Sequence, residues 1–429
     1  MKFLGFYFAL ILALFTPRLT VADQRFIVRT NLSIFALQQI CVLNSCSVVR
    51  GLDGSLSELF LVTTSDLTNP NVFLAVLRLV PGIVDAETDQ LVTIAGGLAT
   101  ITTVPPGLSE NTPVGYFGSQ VWSGYANQPA AQIVRVNDAH QTFGVTGSGV
   151  IADVDTGVDP THPALANILL PGYDFTRNQP GASELQDYPF SAPPPCPHCP
   201  AAIVNQQSAA ILDQQSAAIL DGTPYAAFGH GTMVVGVLHL VAPTAHILPL
   251  KAFHADGSGY LSDILRAVYY AVQNQANVIN MSFDFIAPSQ EMTAAIGYAN
   301  QSNVICVASA GNDGKQELVY PAALPNVMGV ASTSDLDTRS TFSNYGSDVW
   351  MAAPGEAIIT TYPFATYSAN WGTSFSAPFV SGAASLVISL HANASPNAVA
   401  QALAHAQNLT PDLGNGRLDL YRTLDSINH

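Results

Sequence analysis

The chain has 429 residues, 48% hydrophobic and only 10% charged, which excludes a disordered chain and allows a small domain plus one large core. Its 14 basic and 30 acidic residues give a net charge of −16, a poor match for nucleic acid or an anionic membrane surface.

Met1–Ala22 reads as a secretory signal, with Lys2, an apolar run Phe3–Phe15 and a small-residue end at Thr20-Val21-Ala22. That run is too short to span a bilayer, and no later stretch is read as reaching the ~18 apolar residues of a membrane helix. Export without an integral membrane segment is expected. For an exported chain, Cys41/Cys46 and Cys196/Cys199 are the local disulfide candidates, and Cys306, inside an apolar run, reads as a buried thiol. Cys196-Pro-His-Cys199 has too few neighbouring ligands to close a zinc site, so a loop disulfide or free thiols are favoured.

Residues 23–95 read as a separate small unit. Arg25–Thr30 is strand-like, Ile34–Val42 helical, and Ser47–Leu52 and Glu58–Thr64 flank an Asp53-Gly54 turn. Asn71–Val80 is a second helix, followed by strand-like Gly82–Ala86 and Gln90–Ile94. The pattern β-α-β-β-α-β is that of a ferredoxin-like α+β fold. Residues 96–132 turn rich in Gly, Thr, Pro and Ser and read as a linker or wrapping segment.

From 133 to 429, strands and helices alternate. Strands are predicted at Gly149–Asp155, Ile247–Ala252, Val278–Phe283, Val304–Ala308 and Asn326–Ser332. Helices are predicted at His230–Leu240, Leu261–Gln275, Gln290–Gln301, Ser374–His391 and Pro396–Ala406, with Pro378 in the first turn of its helix. Apolar strands between helices imply an α/β fold with a parallel sheet covered on both faces. An insertion at about 174–228 carries a Pro-rich stretch and the octad QQSAAILD twice, read as a surface loop or short helical excursion.

Three polar residues sit where chemistry can be built. Asp155 ends an apolar strand, His230 begins a buried helix between Gly229 and Gly231, and Ser374 lies at a loop-to-helix junction with free backbone N–H groups. A nucleophilic serine needs a base and a group that orients the base. Asn312, at another strand's end, can donate to an oxyanion together with the Ser374 N–H.

The ordered motifs DTGVDPTHP (155–163), GHGTMVVG (229–236), SAGNDG (309–314) and GTSFSAP (372–378) resemble those of the subtilisin-like serine proteases. The similarity extends to KAFHADGSG (251–259), VINMS (278–282), Tyr320-Pro321-Ala322 and GNGRLD (414–419). It spans about 133–425. The resemblance implies a secreted endopeptidase that uses Asp155, His230 and Ser374 through an acyl-enzyme, with Asn312 in the oxyanion hole. It further implies substrate binding along Gly257, Ser258 and Gly259, along Ser282, Phe283 and Asp284, and by Ser309, Ala310 and Gly311. Residues 23–95 would be an inhibitory, fold-assisting propeptide, released by self-cleavage within 96–132. Partners would be protein or peptide substrates and the chain's own propeptide, the enzyme acting as a monomer. No cofactor or metal is required, although structural calcium is frequent in that family. Activity should need a neutral imidazole and hence hold at neutral and alkaline pH. A catalytically silent, peptide-binding relative is the other reading, and the presence of all four polar residues argues against it.

Departures from the family pattern are Val235, where alanine is usual, Phe283-Asp284 in place of Leu-Gly, and a short stretch from Asn312 to Tyr320. The last two alter the shape and charge of the groove. Asp153, on the strand face of Asp155, reads as a hydrogen-bonded neighbour. His162 reads as structural, and His239, His246 and His254 as core-edge or surface residues. Asn280 heads a formal glycosylation sequon, but in a core strand.

Overall fold

The computed structural model describes residues 23–65, 69–94, 104–187, 225, 227–317 and 319–428. The expected signal segment, the Cys196/Cys199 pair and the QQSAAILD repeat lie outside these residues.

In the N-terminal unit, β1 (Gln24–Thr30), α1 (Ile34–Leu43), β2 (Cys46–Gly51), β3 (Leu59–Thr64), α2 (Pro70–Leu77) and β4 (Ile83–Thr88) follow in that order. The strands form an antiparallel sheet in the order β2-β3-β1-β4. Both helices start on side-chain caps. Ser33 accepts from the Ala36 N–H, and Asn69 from those of Asn71 and Val72, with Pro70 at the first helical position. Cys41 and Cys46 are bridged, tying α1 to β2. Strand alternation gives the sheet two apolar faces. Phe26 and Val28 pack with Leu37, Phe60 and Phe73, whereas Ile27, Leu59 and Leu61 join the core of the larger unit beside Leu265 and Met292.

The stretch expected as the last strand of this unit does something else. β5 (Leu91–Thr93) leaves the small sheet and pairs antiparallel with a strand of the larger unit. Its partner decides its place, and local pattern carries no record of that partner.

Residues 104–132 are not a plain linker. They hold a hairpin of β6 (Pro113–Tyr116) and β7 (Ser119–Trp122), then short helices α3 (Ser123–Ala126) and α4 (Pro129–Ile133). Tyr125 anchors them, completely buried, its hydroxyl donating to the Gly236 carbonyl at 2.8 Å. Burying such a side chain is worth roughly 2 kcal/mol or more. A further helix, α5 (Val136–Phe143), follows.

The large sheet comprises β8 (Val150–Asp155), β9 (Tyr173–Asp174), β10 (Gln179–Pro180), β11 (His246–Lys251), β13 (Val278–Met281), β14 (Ile305–Ser309), β15 (Val327–Thr333) and β16 (Met351–Pro354); β12 (Ser258–Tyr260) stands outside it and pairs with β5. The order is β10-β9-β11-β8-β13-β14-β15-β16, parallel except for the edge pair β9/β10. Successive residues go to opposite faces. Ile151, Val278 and Val307 meet the side of α6 (His230–Val241), while Ala152, Ile279 and Cys306 meet α7 (Leu261–Gln273) and α8 (Gln290–Gln301). A hairpin of β17 (Ile358–Tyr362) and β18 (Thr366–Asn370), not anticipated from sequence, leads into α9 (Thr373–Leu390). By length and composition α9 could cross a membrane, contrary to the sequence expectation, but 89% of it is buried within the fold. Its all-round apolar surface is that of a central core helix. His239 is likewise interior, 1% exposed, and shares a hydrogen bond with Tyr125.

Candidate active site

Every residue singled out from the motifs lies at the carboxyl ends of the parallel strands or on the elements that follow them, where open α/β sheets form clefts. Asp155 is the last residue of β8, His230 the first of α6, and Ser374 the second of α9. Ser309 ends β14, with Ala310, Gly311 and Asn312 just beyond; Ser282, Phe283 and Asp284 follow β13; Gly257 precedes β12, which contains Ser258 and Gly259.

The Asp155 carboxylate meets the imidazole with both oxygens, His230 Nδ1 lying 2.8 Å from Oδ1 and 2.9 Å from Oδ2. Thr156 N–H donates to Oδ1 at 2.6 Å. Both partners are buried. Gly231 permits this approach, because a Cβ there would run into the Gly157 carbonyl and crowd Asp155 Oδ1 at 3.2 Å. The Ser374 hydroxyl donates to the Ser282 carbonyl at 3.2 Å. Among the described residues no hydrogen bond joins it to His230. Gly372 at the α9 N-cap has φ +148° and ψ 155°, a region essentially restricted to glycine. Asn312 Oδ1 accepts from both the N–H (2.8 Å) and the hydroxyl (2.9 Å) of Thr373, which fixes the amide beside the start of α9.

Pro378 is the sixth residue of α9, not part of its first turn. Its missing N–H would have bonded the carbonyl four residues back, which belongs to Ser374. That carbonyl accepts from Ser282 Oγ instead, at 2.9 Å. Ser282 in turn receives Asn280 Nδ2 at 3.0 Å, and the same amide reaches Asp153 Oδ1 at 2.9 Å. Ser381 Oγ completes the chain at Asn280 Oδ1, 2.8 Å away. Asn280 is fully buried in these bonds. Burial, reinforced by the charge of Asp155, pushes the Asp153 carboxyl well above its usual range.

Two residues that were not among the expected site residues hold the parts together, Glu184 outside every motif and Lys251 at the head of KAFHADGSG. Glu184 is fully buried and accepts from Thr156 Oγ1 (3.1 Å), the Gly229 N–H (2.8 Å) and both the N–H and hydroxyl of Thr232. It thus clamps the turn after Asp155 to the start of the His230 helix, while burial raises its carboxyl to about 7. Lys251, also fully buried, places its ammonium on the carbonyls of Thr156 (2.8 Å) and Phe253 (2.6 Å) and on Asp187 Oδ2 (2.7 Å). A lysine ending an apolar strand was a readable signal; Glu184, in a polar stretch, gave none. His162 is a buried structural residue: Nε2 faces the Thr366 carbonyl at 3.0 Å, and burial lowers it to about 4.

The cleft is occupied by the chain itself. β5 pairs with β12 in the register Thr93 with Ser258, Val92 with Gly259 and Leu91 with Tyr260; Thr93 also bridges to Asp284 on the opposite side. The Ile94 N–H donates to the Gly257 carbonyl at 2.8 Å. A strand from the N-terminal unit is therefore sandwiched between the two segments expected to bind substrate.

Residues 147–421 match the Subtilase family, peptidase S8. Thermitase of Thermoactinomyces vulgaris is 34% identical over 260 residues, 58% of this chain and 78% of thermitase. Subtilisin BL of Lederbergia lenta is 32% identical over 264 residues, 59% of this chain and 81% of its own length. Among solved structures, fervidolysin from Fervidobacterium pennivorans, described as a keratinolytic enzyme related to subtilisin, superposes with a TM-score of 0.70 at 20% identity. That alignment covers 94% of this chain and 61% of fervidolysin, and speaks for the fold alone. The chain belongs to the subtilase family and is a subtilisin-like serine endopeptidase.

Proposed function

We propose that this is an exported endopeptidase made as a self-inhibited zymogen, with Met1–Ala22 as its signal and residues 23–95 as its propeptide. The observation that carries the reading is the strand Leu91–Thr93, which runs antiparallel to Ser258–Tyr260 and bridges to Asp284 as an extended substrate would. Cleavage falls in the stretch after Ile94, within 96–132.

In this reading the ionised Asp155 accepts the Nδ1 proton of His230, which leaves Nε2 as the basic nitrogen. The Ser374 hydroxyl turns from the Ser282 carbonyl toward Nε2, loses its proton there and attacks the scissile carbonyl. The oxyanion is met by the Ser374 N–H, a first-turn group that no helix can pair internally, and by the Asn312 amide. Asp155 stabilises the imidazolium, which then protonates the leaving amine, and water repeats the sequence to release the acyl group. Gly257–Gly259, Ser282–Asp284 and Ser309–Gly311 line the path of the substrate backbone.

The test compares the signal-free chain with Ser374→Ala. Wild type should shed its N-terminal unit and label at Ser374 with a fluorophosphonate, while the variant stays full-length with hydrolysis lower by about 10⁴–10⁶-fold. A folded wild type that neither cleaves nor labels would be a peptide-binding protein instead.

A further inference from the structure

On the peptidase reading, the side chain that precedes the scissile bond would lie between two walls. One is Ser282–Asp284, leaving β13, and the other is Ser309–Gly311, leaving the neighbouring β14. The walls are tied at their base by Ser309 Oγ, which donates to the Phe283 carbonyl at 3.4 Å. Ser374 meets the first wall through the Ser282 carbonyl, and Asn312 follows the second, so both walls border the place where Ser374 would act. Beyond them, Phe285 and Tyr320 exchange backbone hydrogen bonds at 2.8 Å, with their rings 6.0 Å apart.

The Asp284 carboxylate crosses this gap. Its Oδ2 lies 3.3 Å from the place a Cβ on Gly311 would occupy on the opposite wall. That oxygen is buried and has no hydrogen-bond partner among the described residues. Asn344 Nδ2 flanks the same spot, also buried and unpartnered, while its Oδ1 is held by the N–H groups of Asp313 (3.0 Å) and Lys315 (3.2 Å). The charged groups around it are mostly of one sign. Asp313 and Glu317 both act on Asp284, and the one lysine of the 309–324 loop, Lys315, is exposed and turned to Glu317 at 3.7 Å. A buried carboxylate oxygen without a partner is costly, and such costs persist where a ligand is to supply the missing group.

We propose that Asp284 makes this cleft a pocket for a cationic side chain, so that the enzyme cleaves after lysine or arginine. The proposal rests on the peptidase reading above. The aliphatic stem packs along the apolar wall toward Phe285 and Tyr320, and the charged tip meets the carboxylate. Residues 95–134 contain no lysine or arginine, so self-processing uses a poor residue at this pocket. One turnover of a tethered segment already aligned in the cleft does not need the preference that separate substrates need.

The experiment uses the matured enzyme, titrated first with a fluorophosphonate, and peptide substrates that differ only in the residue before the scissile bond: Lys, Arg, Leu or Phe. Wild type at pH 8 should show kcat/KM at least about tenfold higher for Lys and Arg than for Leu. Asp284→Asn, which preserves shape, and Asp284→Gly should each lower that ratio by about tenfold or more. Burial and the neighbouring carboxylates raise Asp284 to about 7, so in wild type the Lys/Leu ratio should climb as pH rises through that value and stay flat in the variants. A labelled enzyme that prefers Leu or Phe, or a ratio unchanged by Asp284→Asn, removes the pocket and leaves the peptidase standing. A wild type that does not label removes both.

Discussion

Asp153 and Asp155 share one face of β8, yet only Asp155 faces a base; Asp153 is offered an amide donor, Asn280 Nδ2, at 2.9 Å. Because burial raises Asp153 above its ordinary 3.8, the folded state holds the proton more tightly than the unfolded chain. Stability from this residue is therefore undiminished at pH values below about 3.8 and declines as pH rises toward the folded value. Asp153→Asn keeps the bond to Asn280 without titrating. In a Ser374→Ala background it should unfold later than its parent at pH 8 and show little gain at pH 4; equal gains at both would mean that Asp153 is ionised in the fold. Glu184 poses the opposite problem, since all its partners donate. Glu184→Gln puts an NH₂ among donors, and thermal or urea unfolding should report a loss of about 1–3 kcal/mol.

At the scale of elements, β13 and α9 meet through a defect that proline makes. A helix with Pro378 in its interior leaves the Ser374 carbonyl without its N–H partner, and Ser282 fills the vacancy. Ser282→Ala should cost about 1–3 kcal/mol, because a buried carbonyl then loses its donor. Pro378→Ala restores a helical N–H to the same carbonyl, so in the double variant the Ser282→Ala loss should shrink to well under half. A double-mutant cycle by chemical denaturation measures this, and strict additivity would show that the two positions do not share the carbonyl.

Across the whole molecule, the N-terminal unit docks by capping helices of the larger one. Asp89 accepts from the Ser262 N–H and hydroxyl, both at 2.8 Å, at the start of α7. Glu87 accepts from Ser289 Oγ at 2.6 Å and the Gln290 N–H at 3.1 Å, at the start of α8. Arg29 joins Glu291 at 2.6 Å beside them. Burial, with Glu291 and Asp85 nearby, raises Glu87 from 4.5 to about 7 in the docked state. Docked protein thus binds a proton that the isolated segment gives up, so affinity for a separately prepared segment 23–95 should fall by about tenfold or more between pH 5 and 7. Glu87→Gln should flatten that slope in an inhibition assay with the isolated segment; an unchanged slope would place the titration elsewhere.

Some of this was legible in the amino-acid order alone. Apolar strands alternating with helices announced a covered parallel sheet, because burial on two faces demands that pattern. His230 between two glycines, and Asp155 and Ser374 each two residues from one, stood out because close backbone approach leaves its mark in composition. The Gln90–Ile94 stretch looked like a strand and is one, but whether it completes its own sheet or enters the cleft depends on which unpaired edge it meets. Only the tertiary structure decides that. The same holds for Glu184, whose role comes from four donors contributed by two distant segments; for Asp284 the sequence showed a change of groove charge, and the structure added that Gly311 stands opposite its carboxylate. Local periodicity records which faces are buried, whereas partners far apart in the chain are chosen by how those faces pack.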